Sequence, residues 1–412
     1  MEFDRIVVIG LGYIGLPTAA VLASRKINVV GVDVDPKVVD TINSGKIHIV
    51  EPDLDMLVHA AVTEGFLKAT LTPEAADAFL IAVPTPFGEN NEPDLTYVES
   101  AARAIAPVLV PGNLVVLEST SPVGTTELVS KWMSDERPDL SFPHKHQEES
   151  DIRIAHCPER VLPGRILHEI IENNRIIGGL TSKCSDAALA LYRTITNSEL
   201  LSTNARTAEM CKLVENSFRD VNIAFANELS MICEDNEVNV WELIDLANHH
   251  PRVNILQPGT GVGGHCIAVD PWFIVSQAPQ LSRMIRTARE TNDQKPVFVA
   301  DKLAETFHAG SFNSAICLGL SFKPDIDDLR ESPAIRVVTQ LAKKGIPVKV
   351  IEPNINDLPP ELVALGIEWS SLESLEHESR GALVAILVAH QEFKDSIFDK
   401  SSSVLDFCGA LR

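Results

Sequence analysis

The sequence predicts an α/β fold, with a doubly wound parallel sheet at each end of the chain and a helical region between the two. Short apolar runs alternate with helical patterns in the first half, and a long helical stretch follows at residues 207–235. A second alternation of strand and helix begins near residue 315. We therefore expect three domains, comprising residues 1–200, 201–308 and 309–412.

The chain begins with a βαβ unit. Residues 5–9 and 28–32 are typical of short buried strands, and the spacing of apolar residues predicts a helix over 16–25. The uncharged segment 6–24 also has the composition of a short membrane span. Its glycines and the acidic residues before it argue against that interpretation, so we expect no membrane partner.

The turn of this unit carries a glycine motif. Gly10, Gly12 and Gly15 form GxGxxG, which lets the backbone approach a pyrophosphate at the N-terminus of the helix. Asp33 ends the second strand, where a carboxylate can accept hydrogen bonds from an adenine ribose diol and repel a 2′-phosphate. These features predict a Rossmann-type domain that binds NAD rather than NADP.

Further apolar runs continue the predicted parallel sheet. They cover residues 79–83, 114–117, 152–155 and 175–177, and a helical pattern covers 96–109. The loops VPTP at 83–86 and STSP at 119–122 each follow a strand, so their hydroxyls should lie at the carboxyl edge, where ligands bind. Residues 135–150 have no apolar period and are predicted as a surface loop.

The helical stretch at 207–235 has two faces. Its apolar residues recur at spacings of three or four and predict a long, largely buried helix that joins two lobes. They are Met210, Val214, Phe218, Val221, Phe225, Leu229 and Ile232. Lys212, Asn216 and Arg219 lie at i, i+4 and i+7, within an arc of roughly 60°, and we expect them to point into one cleft. A solvated polar stripe is the alternative.

The last quarter of the chain predicts a Rossmann-like α/β domain. A helical pattern extends to about residue 308, and strands at 315–320 and 348–351 flank a helix at 333–344.

Charge and cysteine content limit the function. The formal charge of −22 predicts a surface that repels nucleic acid and anionic lipid, so an anionic ligand needs a local basic pocket. The seven cysteines include no CxxC pair, which fits reduced thiols in a cytoplasmic protein. No cysteine or histidine spacing matches a zinc site, and we expect no metal.

The segment GTGVGGHC at 259–266 places Cys266 after four glycines whose backbone amides could hold a phosphate or an oxyanion. A thiolate beside a nicotinamide can attack an aldehyde, and the thiohemiacetal can lose a hydride to give a thioester. Lys212 and Asp270 are candidates for the proton transfers and the water step, with Asn216 as a positioning group. A small buried thiol is the interpretation for Cys184, Cys211, Cys233 and Cys317, and His265 is a further candidate base beside Cys266.

The sequence resembles the UDP-glucose/GDP-mannose dehydrogenase family in seven segments that follow one another from Arg5 to about Glu352. They are GLGYIGLP, VPTP, ESTSPVGTTE, CPERVLPG, EMCKLVENSFRD, GVGGHC and GLSFKPDIDDLRESPA. The resemblance implies NAD-dependent, four-electron oxidation of the C6 alcohol of a UDP-sugar to a carboxylate. Residues 266–273, CIAVDPWF, most resemble members that act on UDP-N-acetyl-D-mannosamine, because UDP-glucose enzymes place lysine where Val269 stands. The product would enter a bacterial surface polysaccharide such as enterobacterial common antigen.

The resemblance also implies roles for individual residues. Cys266 would be the nucleophile and Lys212 the proton donor and acceptor; Asn216 and Asp270 would assist the water step, with Glu159 and Thr120 near the reacting centre. The implied cofactor residues are Tyr13, Ile14, Asp33, Thr85, Thr126 and Arg330, beside the three glycines. The implied UDP-sugar residues are Arg160, Val161, Lys212, Asn216, Arg219, His250, Arg252, Gly263, Phe322 and Lys323.

Two residues depart from the family pattern. Cys408 stands where close relatives carry lysine, so a charge contact there would be missing. Thr260 stands where relatives often have proline, and we expect a looser loop before Cys266. The resemblance also implies a homodimer formed through the central helical region.

Three other functions remain open. UDP-N-acetylglucosamine presents the same C6 alcohol and is the nearest alternative substrate. A two-electron hydroxyacid dehydrogenase would also use a lysine and an asparagine on a helix, but Cys266 argues against it. An inactive NAD-binding protein would not need Lys212, Asn216, Cys266 and Asp270 together.

Overall fold

The computed structural model describes residues 3–88, 91–162, 164–394, 396, 398 and 402–412. The chain forms two compact units, Met1–Val214 and Glu215–Arg412, and the boundary between them falls inside one long helix. The expected division into three domains is finer than these two units and stays a prediction.

The described part of unit 1 forms an eight-stranded sheet in the order β3-β2-β1-β4-β5-β6-β7-β8. The strands are β1 (Arg5–Ile9), β2 (Asn28–Val32), β3 (Leu67–Thr70), β4 (Ala78–Ile81), β5 (Leu114–Leu117), β6 (Arg153–His156), β7 (Arg175–Gly179) and β8 (Leu200–Asn204). The chain order reverses between β1 and β4, and ligands of such sheets bind beside the carboxyl ends at that point.

Helices cover both faces of this sheet, which explains why its central strands are continuous apolar runs. The helices are α1 (Gly15–Ser24), α2 (Pro36–Asn43), α3 (Leu54–Thr63), α4 (Thr96–Ile105), α5 (Thr125–Glu136), α6 (Pro143–His146), α7 (Ile166–Glu172), α8 (Ser182–Tyr192) and α9 (Ala205–Asp235).

Two features of unit 1 correct the sequence prediction. The sheet is not parallel throughout, because β7 pairs antiparallel with β6. Residues 135–150, predicted as a loop, contain the short helix α6, which begins at a proline as helices commonly do. Neither β3 nor β8 was predicted; β8 carries the polar sequence LLSTN at a sheet edge.

Unit 2 contains the rest of α9, further helices and a five-stranded parallel sheet in the order β11-β10-β9-β12-β13 among its described residues. The strands are β9 (Ala315–Leu318), β10 (Val348–Ile351), β11 (Glu368–Trp369), β12 (Leu383–Ile386) and β13 (Ser403–Asp406). The helices are α10 (Val240–Ala247), α11 (Asp270–Gln277), α12 (Arg283–Ala309), α13 (Pro333–Lys343), α14 (Pro360–Ala364) and α15 (Leu375–Glu378).

The predicted burial of α9 is wrong. Phe218, Phe225 and Ile232 are 70%, 53% and 50% exposed, and Met210 and Val214 are exposed as well. The buried face of the helix in unit 2 instead carries Ser217, Asp220, Ala224 and Asn227. Apolar periodicity located the helix but not its buried side, because polar residues of α9 are bonded to polar residues of α12. None of the helices in the described part of the chain is long and apolar enough to cross a membrane.

Candidate active site

The glycine turn after β1 fits a dinucleotide. A Cβ atom on Gly15 would lie 1.8 Å from the Gly10 carbonyl oxygen, so this glycine is required by the packing of the turn against α1. A Cβ atom on Gly12 would meet no other described atom within 4 Å. The space beside Gly12 and the N-terminus of α1 are the features that a pyrophosphate requires.

Asp33 is fixed at the end of β2. Its Oδ2 accepts a hydrogen bond from the Leu11 backbone N–H at 3.0 Å, and Oδ1 accepts one from Asp35. The half-buried carboxylate keeps lone pairs with which it can accept ribose hydroxyls. Tyr13 and Ile14 lie in the same turn, and Thr85 follows β4. The residues present fit NAD.

Glu209, which the sequence did not single out, holds the N-terminus of α5. Its Oε2 accepts from the Gly124 N–H at 2.6 Å, and Oε1 accepts from the Thr126 N–H and hydroxyl at 2.7 and 2.6 Å. Burial raises the pKa of Glu209, although these bonds favour the charged form. The Thr126 hydroxyl therefore binds Glu209, and its cofactor role stays a prediction. Thr120 lies half-buried in the preceding loop.

Glu159 lies in a buried ion pair after β6. The Arg175 guanidinium lies 3.0 Å from Oε2 of Glu159, and the Arg160 N–H donates to Oε1 at 2.8 Å. Val161 follows half-buried, and Pro163 of the CPERVLPG segment lies outside the described residues. The arrangement fixes the orientation of the Glu159 carboxylate.

A second buried carboxyl lies beside this ion pair. The Tyr192 hydroxyl donates to Glu118 Oε1 at 2.6 Å, and the Arg175 guanidinium stacks on the Tyr192 ring. Burial, followed by the neighbouring charge of Glu159, raises the pKa of Glu118 to about 7. Neither Glu118 nor Arg175 was singled out by the sequence analysis, which placed them only at the start of a loop and in a strand.

Unit 2 brings three of the predicted catalytic residues together. Cys266 is half-buried and precedes α11, and its carbonyl oxygen accepts a hydrogen bond from the Asp270 N–H at 2.8 Å. The Asn216 side-chain amide donates to Oδ2 of Asp270 at 2.5 Å. Lys212 lies one turn before Asn216 on α9, half-buried. The side chains of Asn216 and Asp270 are thus bonded to each other, and the Asp270 backbone is bonded to the backbone of Cys266.

Of the predicted nucleotide residues of unit 2, Gly263 lies in the glycine-rich segment before Cys266, and Phe322 packs against it. Gly263 packs against Phe322, because a Cβ atom at Gly263 would be 2.7 Å from the Phe322 Cβ. Lys323 is half-buried beside Phe322. The Gly264 N–H donates to the Arg330 carbonyl, while the Arg330 guanidinium is bonded to Asp328. Arg219, His250 and Arg252 are exposed.

The turn that carries Phe322 and Lys323 is held by two buried residues that the sequence did not indicate. Glu352, which ends β10, accepts hydrogen bonds from the Leu320 and Ser321 N–H groups. His390 Nε2 lies 3.0 Å from Glu352, and His390 Nδ1 accepts from the Asp325 N–H at 2.9 Å. Both ring nitrogens are therefore engaged by protein groups. Asp325, His390 and Glu392 are close enough to hold a metal, but these bonds indicate a structural role.

The two departures from the family pattern have clear environments. Thr260 is buried and its hydroxyl donates to the Leu387 carbonyl at 3.2 Å, so it anchors the loop, contrary to the expected loosening. The Cys408 thiol lies near Asp406, and burial raises its pKa well above the usual range. It offers no positive charge.

Comparison with known proteins gives the family. Models of the UDP-glucose/GDP-mannose dehydrogenase family match the chain with the NAD binding domain at residues 4–196, the central domain at 206–294 and the UDP binding domain at 316–411. An NDP-N-acetyl-D-galactosaminuronic acid dehydrogenase of Ralstonia nicotianae is 62% identical over 98% of this chain and 95% of its own length. A UDP-N-acetyl-D-mannosamine dehydrogenase of Campylobacter jejuni is 60% identical over 99% and 100%. The structure of a UDP-D-ManNAc dehydrogenase from Pyrococcus horikoshii superposes with a TM-score of 0.87 at 38% identity, covering 99% of this chain and 96% of the other.

Proposed function

This chain belongs to the UDP-glucose/GDP-mannose dehydrogenase family and is an NAD-dependent dehydrogenase, and from that premise we propose that it oxidises UDP-N-acetyl-D-mannosamine to UDP-N-acetyl-D-mannosaminuronate. The reaction removes four electrons from C6 of the sugar. NAD, when bound, would supply the hydride acceptor for each of the two oxidations, so each sugar should yield two NADH.

The first oxidation needs a base for the C6 hydroxyl proton. Lys212 is the proposed base and, after the alcohol becomes an aldehyde, the group that stabilises charge on its oxygen. The turn at Gly10, Gly12 and Gly15 and the Asp33 carboxylate would bind the cofactor. Gly10 and Gly12 lie in the turn between β1 and α1, Gly15 begins α1, and Asp33 directly follows β2.

The second oxidation needs a covalent intermediate. The Cys266 thiolate attacks the aldehyde carbon, forming a carbon–sulfur bond and a thiohemiacetal. Loss of the remaining C6 hydride from this adduct gives a thioester on Cys266. Water then attacks the thioester, the carbon–sulfur bond breaks, and carboxylate and thiol are released. Asp270, fixed by Asn216, is the proposed group that orients and activates the water.

The observation that carries the proposal is the hydrogen bond of Asn216 to the Asp270 carboxylate, four residues after Cys266, whose carbonyl oxygen accepts from the Asp270 N–H. An alcohol dehydrogenase that removes two electrons needs no nucleophilic thiol. A chain that only binds NAD needs neither the thiol nor the carboxylate bonded beside it. The basic residues Arg160, Arg219, Arg252 and Lys323 are the proposed partners of the UDP phosphates.

A second candidate substrate is UDP-N-acetyl-D-galactosamine. The 62% identical Ralstonia relative carries a galactosaminuronic acid name, and its identity to this chain is no lower than that of the mannosamine enzyme. UDP-N-acetylglucosamine is the third epimer to test. All three sugars present the same C6 alcohol, so the chemistry proposed for Cys266 is the same for each.

The test counts NADH with limiting sugar and excess NAD for the three UDP-N-acetylhexosamines and UDP-glucose. We expect two NADH per UDP-N-acetyl-D-mannosamine and little from the others. Two NADH per galactosamine sugar would reassign the substrate, and one NADH per sugar would contradict the four-electron reaction.

The variant Cys266→Ser tests the covalent step. Because serine is a weaker nucleophile at neutral pH, we expect uronate formation to fall by a factor of about 10³ or more while NAD binding is unchanged. Cys184→Ser, at a buried cysteine outside the predicted site, is the matched control. Uronate formation by Cys266→Ser at the control rate would exclude the thioester route.

We further propose that the protein is a cytoplasmic homodimer and that its product enters a surface polysaccharide such as enterobacterial common antigen. Support for the dimer comes from unit 2, where an open groove is lined by Val221, Phe225 and Met284 and is flanked by the exposed Phe218. Deletion of the gene should remove uronate from the surface polysaccharide, measured by sugar analysis.

A further inference from the structure

The cysteine loop, defined as residues 259–267, has an unusual requirement. Its four glycines leave the backbone with many conformations, whereas a nucleophile must be held close to one geometry through both steps at C6. Contacts outside the loop must therefore supply the order that the loop sequence lacks. Besides the bonds of Thr260 to Leu387 and of Gly264 to Arg330, contacts in unit 2 come from α9 and α12.

The first anchor is at the start of the loop. Asn227 of α9 is fully buried, and its Oδ1 accepts a hydrogen bond from the Gly259 N–H at 2.9 Å. The Asn227 amide nitrogen donates to Oδ1 of Asn292 on α12, also at 2.9 Å. The loop backbone is thus bonded to a side chain whose own orientation is fixed from the neighbouring helix.

The second anchor depends on a proline inside α12. Pro296 has no N–H and cannot donate to the Asn292 carbonyl, as a residue four places later in a helix normally does. Gly261 packs at this point, since a Cβ atom on it would lie 3.1 Å from the Asn292 oxygen and 3.0 Å from the Pro296 ring. Its φ of 142° also favours glycine. A side chain at residue 261 would push the loop away from the helix.

The third anchor lies directly after the nucleophile. Arg289 is fully buried, and its Nη1 lies 3.5 Å from the Ile267 carbonyl oxygen and 2.5 Å from Oδ1 of Asp220. The Asn292 amide nitrogen donates to the same Asp220 oxygen at 2.8 Å. Asp220, Arg289, Asn292 and Asn227 therefore form one connected buried network that reaches both ends of the cysteine loop.

Stability is a poor explanation for this network. Apolar residues of similar volume commonly replace buried ion pairs without loss of stability, because the ions lose their hydration. The same two helices also carry the buried Lys295–Ser230 pair, which joins α12 to α9 rather than to the loop. Resting on the assignment of Cys266 as the nucleophile, we propose that Asp220, Asn227, Arg289 and Asn292 are positioning residues that fix the cysteine loop for attack.

The experiment compares Asn227→Leu with Lys295→Met in the full chain. Asn227→Leu keeps the number and branching of the side-chain heavy atoms and removes both hydrogen bonds, whereas Lys295→Met removes a buried polar contact between the same helices. The readouts are kcat and KM, the unfolding midpoint, and the rate at which iodoacetamide alkylates Cys266, followed by mass spectrometry. The alkylation is measured without UDP-sugar.

We expect Asn227→Leu to lower kcat by about 10- to 100-fold and to change the alkylation rate at least about fivefold, with little change in KM for NAD. Lys295→Met should leave kcat and the alkylation rate within about twofold of wild type, even if its unfolding midpoint changes. Equal effects in the two variants, or no effect of Asn227→Leu, would overturn the proposal.

Hydrogen exchange in the unmodified protein tests the first anchor even if Asn227→Leu does not fold. The Gly259 amide should exchange about 100-fold or more slowly than an unprotected glycine amide. Exchange at the unprotected rate would show that the anchor does not exist. Failure of the proposed function is recognised separately, because it would remove turnover from wild type while leaving the alkylation and exchange results readable.

Discussion

At the scale of single residues, the protein places one carboxyl group where ionisation is costly. Glu118 is almost fully buried between the Tyr192 hydroxyl and the Arg175–Glu159 pair. Burial and the Glu159 charge raise its pKa to about 7, from 4.5 in the free residue. In the unfolded chain the group ionises near pH 4.5 without this cost.

The sign of the pH effect follows from that difference. Below about pH 4.5 Glu118 is protonated in both states and does not alter stability. Between about pH 4.5 and pH 7 the unfolded chain loses this proton and the folded chain keeps it, so the free energy of unfolding falls, by roughly 3 kcal/mol in total. We expect Glu118→Gln to remove this decrease, measured by urea unfolding across the range. Asp186→Asn, at an exposed position of α8, should keep the wild-type slope, and a wild-type slope in Glu118→Gln would contradict the raised pKa.

Local spacing singled out several candidate site residues and could not single out others. Cys266 follows an unusual run of four glycines with Asp270 four residues later, and Lys212 and Asn216 share one face of a predicted helix, so the sequence singled them out. Glu209 and Arg175 act through partners 83 and 16 residues away, and no local pattern announces such pairs. Glu352 was missed although it directly follows an apolar strand, β10, as Asp33 directly follows β2. Each carboxylate accepts a hydrogen bond from a backbone N–H just after the neighbouring strand, Glu352 from Leu320 and Asp33 from Leu11.

At the scale of elements, apolar pattern and glycine position located the strands more accurately than the helix faces. β1, β2, β5 and β10 begin and end where the sequence predicts, because a buried parallel strand is a continuous apolar run bounded by turn residues. The prediction of the buried face of α9 was wrong because the polar side of this helix is bonded to Arg289, Asn292 and Lys295 of α12. A buried polar network has the same local pattern as a solvated face.

The turn between β1 and α1 contains one glycine required by the packing, Gly15, and one that we expect to be required by the ligand, Gly12. Gly15→Ala would place Cβ against the Gly10 carbonyl, and we expect it to lower both stability and NAD affinity. The added Cβ atom of Gly12→Ala would meet nothing within 4 Å. We therefore expect a melting temperature within a few degrees of wild type, which corresponds to a change of about 1 kcal/mol or less in the free energy of unfolding. Its methyl would stand where the pyrophosphate approaches, and NAD affinity should fall by about 10- to 100-fold.

Titration calorimetry with NAD and thermal melting of both variants check this pair. Gly88→Ala, at an exposed loop glycine where an added Cβ atom would meet nothing closer than the Glu92 carbonyl oxygen at 4.0 Å, serves as a control for loss of backbone freedom. Tight NAD binding by Gly12→Ala would show that the pyrophosphate does not pass over this turn, and the cofactor assignment would then have to change.

At the scale of the whole molecule, the formal charge of −22 makes close association of two copies unfavourable unless apolar surface offsets it. The exposed side of α9 in unit 2 offers such surface, with Phe218, Phe225 and Ile232 on one face and Met284 of α12 across the groove. Large aromatic residues exposed side by side are uncommon on a monomer and typical of an interface. A second copy of the chain, presenting the same face, is the occupant that we propose.

The variant Phe225→Glu tests this interface. A carboxylate at the centre of an apolar contact would lose its hydration without gaining a partner, and a cost of several kcal/mol would raise the dimer dissociation constant by about 100-fold or more. Sedimentation velocity should then show monomer at concentrations at which wild type is dimeric. Val363→Glu, on the exposed side of α14, adds the same charge elsewhere and should remain dimeric. A dimer in both variants, or a monomeric wild type, would exclude this face of α9 as the contact.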